Sequence, residues 1–161
     1  VVRNAARTQR RPTAHRLRLR SVIFDTGPLV AAANERDADH TECAKLLRRA
    51  TTIVVPGPVI AEAGFLISKH AGHEAEATFL RSLTSDRYDI ASPTSAELER
   101  AAHLVTQYSN LPLGTTDAIV MAMVESRNDP HVATLDERHF SIVKPKNFER
   151  FIRLPDDTPE S

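Results

Sequence analysis

Short runs of β-branched and aromatic residues recur along this chain, with one or two helix-patterned stretches between each pair. That alternation limits the fold more than any single motif. "SVIFD" (21–25), "TTIVVP" (51–56), "YDIAS" (88–92) and "HVATLD" (131–136) have strand character, and a last strand is expected at 141–143 or 150–154. Helices are expected near 28–33 and at 38–49, 58–69, 72–83, 95–108 and 115–127, the fifth of them opened by a capping box of Thr94 and Glu97. Strands joined through helices pair in parallel, and a strand covered on both faces reads as a continuous apolar run. The pattern therefore predicts an α/β domain with a central, mostly parallel sheet and helices on both of its faces. At 161 residues the chain is long enough for one substantial core.

Charge is unevenly spread. The chain is formally neutral, with 21 Lys and Arg against 21 Asp and Glu. Residues 1–20 hold seven of the basic side chains and no acid, which leaves 14 basic and 21 acidic in residues 21–161, a net of −7. Residues 1–20 lack the apolar centre of a secretory signal; they read either as a basic, disordered arm for nucleic acid or as an extension from a misassigned start. The end of the chain, 155–161, is expected to fray. A lone cysteine, Cys43, excludes an internal disulfide and fits a reducing cytoplasm. The longest aliphatic run, Ala118 to Val124, is far short of the ~20 residues that span a membrane, so no membrane role is expected.

The chemistry lies in four carboxylates that interrupt apolar sequence. Asp25 closes the first strand before Gly27-Pro28 open a helix, and Asp136 ends "HVATLD" in the same manner. Ligands in open α/β sheets bind at the carboxyl ends of strands. Glu62 is the single ionisable residue in "VIAEAGFLI" (59–67), a stretch apolar enough to be buried nearly all round. Asp117 stands in the first turn of the helix begun by Gly114, Thr115 and Thr116, where the helix dipole favours an anion. Each has an ordinary explanation as a cap, a turn residue or a hydrogen-bonded acid; four in this arrangement suggest one site. Two carboxylates ~4 Å apart repel by about 4 kcal/mol at an effective dielectric of ~20, so a cluster takes up protons or cations. Taken as an all-oxygen set, the four carboxylates point to Mg²⁺ or Mn²⁺ and to phosphate chemistry.

In order and spacing, "VIFDTGPLVA", "VVPGPVIAE", "LPLGTTDAIVMAM" and "VATLDERHF" resemble a PIN-domain ribonuclease, most closely the VapC toxins of bacterial toxin–antitoxin pairs. The resemblance runs from about Val22 to Val143. It implies an α/β/α PIN-like domain over 21–154 that acts as an endoribonuclease toxin, cleaves RNA with Mg²⁺ or Mn²⁺, pairs as a homodimer and is silenced by a VapB-like antitoxin. Carried over by position, Asp25, Glu62, Asp117 and Asp136 form the catalytic, metal-holding set. Thr26 matches a hydroxyl residue that supports the first Asp, and Thr116 takes a similar supporting place beside Asp117. Where many members carry a further acid three residues after the fourth motif's Asp, this chain has His139, which puts a second metal position in doubt.

Competing classes leave different marks. A haloacid-dehalogenase-type phosphatase places a second Asp two residues after the first, and that position is Gly27. A catalytically silent PIN-like module for RNA or protein binding typically loses some acids, and all four are present. His40 and Cys43 share a helix face and read as exposed helix positions, while His70 and His73 read as solvated loop residues. Phe65, Phe79, Phe140, Phe148 and Phe151 fall at apolar-periodic positions and are expected in the core, so no stacking platform for single-stranded RNA is legible. Which RNA is cut is not written in the sequence.

Overall fold

The computed structural model describes residues 21–157; the expected basic extension, residues 1–20, and the end of the expected tail, 158–161, lie outside the described residues. The elements follow in the order β1 (Ser21–Phe24), α1 (Thr26–Ala33), α2 (His40–Arg49), β2 (Thr52–Pro56), α3 (Gly57–Ala71), α4 (His73–Ser82), β3 (Tyr88–Ala91), α5 (Ser95–Gln107), α6 (Thr115–Ser126), β4 (His131–Ala133), α7 (Glu137–Ile142) and β5 (Ile152–Leu154). All five strands are parallel in the order β3-β2-β1-β4-β5. The chain winds outward from β1 through β2 to β3, then returns to lay β4 against the other side of β1. That reversal makes the cleft beyond the ends of β1 and β4 the natural ligand site of such a sheet.

The sheet is central because its inner strands are apolar on both faces. Val22, Ile23 and Phe24 of β1 and Ile53, Val54 and Val55 of β2 are all buried, and the helices close over them. Helix α6 is buried from Ala118 through Glu125, packs on β1 and runs alongside α5. Phe140, Phe148 and Phe151 stack edge to face under the last strand, with centroids 5.3 and 5.5 Å apart.

Several expectations are corrected. β4 stops at Ala133, so Asp136 lies beyond its strand, and of the two candidates for the last strand the chain uses 152–154, because 141–142 close α7. Helix α3 is not buried all round: Val59, Ala63 and Ile67 face the core, whereas Glu62 is exposed and Phe65 is 65 % exposed. An apolar composition hid an outward-facing stripe there. Cys43 is fully buried, and His40 is half-buried with Nδ1 3.1 Å from the Ala31 carbonyl oxygen, so neither is a free surface position. Burial also pushes the Cys43 thiol up to about 12, which makes it inert. Pro155–Asp157 form a turn in which Asp157 accepts a hydrogen bond from the Arg153 backbone N–H at 2.9 Å.

Candidate active site

Asp25 sits at the point where β1 becomes α1. Its backbone N–H continues the sheet to the Ala133 carbonyl at 2.8 Å, and its side chain caps the helix by accepting from the Thr26 N–H at 2.8 Å. The other carboxylate oxygen accepts from the Thr134 hydroxyl, also at 2.8 Å. Gly27 suits a close approach here, since a Cβ at this position would stand 3.2 Å from the Leu135 side chain, tight enough that Leu135 would have to shift slightly. The carboxylate is 5 % exposed. Burial pushes its pKa from 3.8 up to about 7, with the charges of Asp117 and Glu62 adding to the rise and the two hydrogen bonds opposing it.

Thr134, which the sequence reading passed over, ties the two strand ends together. It is fully buried, donates to Asp25, and accepts from the Asp136 N–H at 3.1 Å. The signal available for it was its place two residues before Asp136 in a strand-end motif. Thr26 supports Asp25 through its backbone N–H rather than its hydroxyl. The Thr26 Oγ1 is buried and has no hydrogen-bond partner among the described residues. Thr116 is half-buried in the first turn of α6.

Asp117 folds back over the start of α6, and its carboxylate accepts from the Gly114 N–H at 3.2 Å. Gly114 makes this possible, because any Cβ there would lie 2.8 Å from the Asp117 Oδ2. Burial raises the Asp117 pKa, and the Asp136 charge raises it further, against the pull of His139 and the Gly114 N–H. Asp136 caps α7. Its Oδ1 accepts from the His139 backbone N–H at 2.9 Å, and its Oδ2 is in close hydrogen-bond contact with the His139 ring Nδ1.

Among the described residues, Asp117, Asp136 and His139 each offer a ligand atom, and these atoms lie within 4.8 Å of one another. Asp25 and Glu62 stand outside that trio. Both still act on it electrostatically, for each charge bears on another carboxyl of the site, and Glu62 does so from an exposed helix face. The arrangement is therefore a trio of close ligand atoms, with buried Asp25 and exposed Glu62 outside it and linked to it by charge. Three observations fit a divalent cation. The donors are mostly carboxylate oxygens and, among the described residues, buried Asp25 has neutral donors but no cationic partner and the buried His139 Nε2 has no hydrogen-bond partner. A carboxylate crowded this way holds either a proton or a metal ion.

The PIN domain family model matches residues 22–145. Ribonuclease VapC26 of Mycobacterium tuberculosis (strain ATCC 25618 / H37Rv) is 31% identical over 135 residues, spanning 83% of this chain and 100% of that protein. Among solved structures, M. tuberculosis VapC20, a Sarcin-Ricin loop cleaving toxin, superposes with a TM-score of 0.70 at 19% identity, covering 80% of this chain and 98% of that one. VapBC2 of Rickettsia felis, bound to a DNA fragment from its promoter, aligns with a TM-score of 0.53 at 20% identity, covering 71% and 86%.

Proposed function

This chain belongs to the PIN-domain family, and from that premise we propose that it is a metal-dependent endoribonuclease, a VapC-type toxin held in check by a VapB-like antitoxin. The observation that carries the reading is the close approach of ligand atoms of Asp117, Asp136 and His139, with a buried Asp25 that feels the Asp117 and Glu62 charges and has no cationic partner among the described residues. The similarity to a protein named as a ribonuclease supports RNA as the substrate.

In this reading Asp25, Asp117 and Asp136 hold Mg²⁺ or Mn²⁺, with Glu62 on the solvent side and Thr26 and Thr116 in support. A divalent ion bound there supplies an activated water and neutralises charge on the phosphodiester. The chain's own work is positioning. Thr134 and the Thr26 N–H fix both oxygens of Asp25, so that carboxylate cannot swing away when its proton leaves. The Gly114 N–H fixes Asp117, and His139 fixes Asp136. Exposed Glu62 is placed to orient water or the entering phosphate rather than to bury charge.

The partners follow from charge and surface. An anionic pocket is closed best by a basic side chain, so the antitoxin is expected to insert an arginine paired to these carboxylates. Pairing as a homodimer accords with the outward Phe65 one turn along α3 from Glu62. Among the described residues no helix is long and apolar enough to cross a membrane.

Expression in a bacterial host tests the function. The chain should arrest growth and leave specifically cut RNA, and co-expression of a small antitoxin encoded beside it should restore growth. Intact RNA in arrested cells would defeat the proposal.

A further inference from the structure

We propose that His139 is a nitrogen ligand of the metal this site takes, oriented by Asp136, and that it tilts the site's preference from Mg²⁺ toward first-row transition ions. The inference rests on the metal-dependent reading above and concerns which atoms of this chain meet the ion.

His139 stands in the first turn of α7, directly after the Asp136 cap. Two contacts join the residues: the His139 backbone N–H to Asp136 Oδ1 at 2.9 Å, and the ring Nδ1 to Oδ2. An ionised carboxylate only accepts, so the contact places a hydrogen on Nδ1, and in the tautomer protonated there alone the lone pair is on Nε2. That Nε2 is buried and has no hydrogen-bond partner among the described residues. Metal-bound histidines have this pattern, with one ring N–H on a carboxylate and the other nitrogen on the ion.

The surroundings agree with that assignment. A ring nitrogen of His139 and carboxylate oxygens of Asp117 and Asp136 lie within 4.8 Å of one another, close to the span of ligands sharing one ion at about 2.0–2.2 Å. The ring is 16 % exposed at its side chain, so bulk water does not readily take the ion's place. Carboxylate sets suit Mg²⁺, whereas an imidazole suits the transition ions.

The test loads the metal-free full chain with Mn²⁺ and reads nitrogen hyperfine coupling by pulsed electron paramagnetic resonance. Coupling to one histidine nitrogen is expected in the wild type and should vanish in His139→Asn and His139→Asp. Asn keeps a donor for Asp136, and the wild-type spectrum needs no variant at all, so misfolding of one protein does not blunt the test. Titration calorimetry should show the ratio of Mn²⁺ to Mg²⁺ affinity falling ~10-fold in His139→Asp, at the low end of the ~10–100-fold effects of altering a metal site's partners. Absence of nitrogen coupling in the wild type, or coupling that persists in both variants, overturns the assignment. A Mn²⁺-dependent nuclease without nitrogen coupling leaves the proposed function standing while removing His139 as a ligand. RNA cleavage indifferent to divalent ions removes both.

Discussion

Two carboxylates of this molecule are almost equally buried, and they have opposite surroundings. Glu125, 4 % exposed near the end of α6, meets Arg100 of α5 in a two-pronged ion pair at 2.7 and 2.8 Å. Asp25, 5 % exposed at the end of β1, has among the described residues only a backbone N–H and a hydroxyl, while the nearby charges of Asp117 and Glu62 oppose its ionisation. The two environments are joined by one helix, since α6 carries Asp117 at its start and Glu125 near its end. A buried acid with its cation in place needs nothing further and clasps two helices. A buried acid without one is incomplete until a proton or a metal arrives. The comparison separates a satisfied carboxylate from an unsatisfied one more sharply than burial does.

Breaking the satisfied end should give the largest effect on stability and little on chemistry. Arg100→Met leaves Glu125 buried without its partner and should cost about 3–5 kcal/mol in a denaturant titration. Adding Glu125→Leu should recover most of that loss, and RNA cleavage per folded molecule should be unchanged. Breaking the unsatisfied end should do the reverse. Asp25→Asn can keep both hydrogen bonds, because the amide accepts from the Thr26 N–H and donates to the Thr134 hydroxyl. Cleavage should fall by more than about 100-fold, the upper end of the cost of altering a metal site's supporting partners, with no loss of metal-free stability at pH 7.

A pH series sharpens the same contrast. Folded Asp25 keeps its proton up to about pH 7, whereas the unfolded chain releases it near 3.8. The folded state therefore binds more protons across that window, and Asp25 makes stability fall as pH rises through it, by at most about 1.4 kcal/mol per pH unit. Thermal melts of the metal-free protein should show this decline and should show it flattened in Asp25→Asn. A slope that Asp25→Asn leaves untouched would mean that another group carries it. The smallest effect belongs to Thr134→Val, which removes one hydrogen bond to Asp25 and the acceptor for the Asp136 N–H. About 1–3 kcal/mol of stability should go, and metal affinity should require a higher pH.

What the sequence made legible follows the same division. The parallel sheet was readable because β1 and β2 are uninterrupted apolar runs, and Asp25, Asp117 and Asp136 stood out as charges at the ends of apolar segments. Composition misled where one face of an element differs from another. In α3 the apolar letters of 59–67 concealed that Glu62 and Phe65 point outward. Thr134 was invisible for a different reason: a threonine in a strand is ordinary until β4 lies beside β1 and turns its hydroxyl to Asp25. His139 was noticed only as a missing acid. Its grip on Asp136 depends on the first turn of α7, a helix that no periodicity announced.

The central claim is that the acids beyond β1 and β4 hold a divalent ion on which RNA cleavage depends. The most direct test follows cleavage of an RNA substrate by the purified full chain in Mg²⁺ or Mn²⁺, after chelation with EDTA, and after the ion is returned, with Asp117→Asn in parallel. The account predicts that chelation abolishes cleavage, that either ion restores it to the wild type, and that Asp117→Asn stays silent while melting no earlier than the metal-free wild type. Full cleavage in EDTA, or an Asp117→Asn protein that melts earlier yet cuts RNA normally, would contradict it.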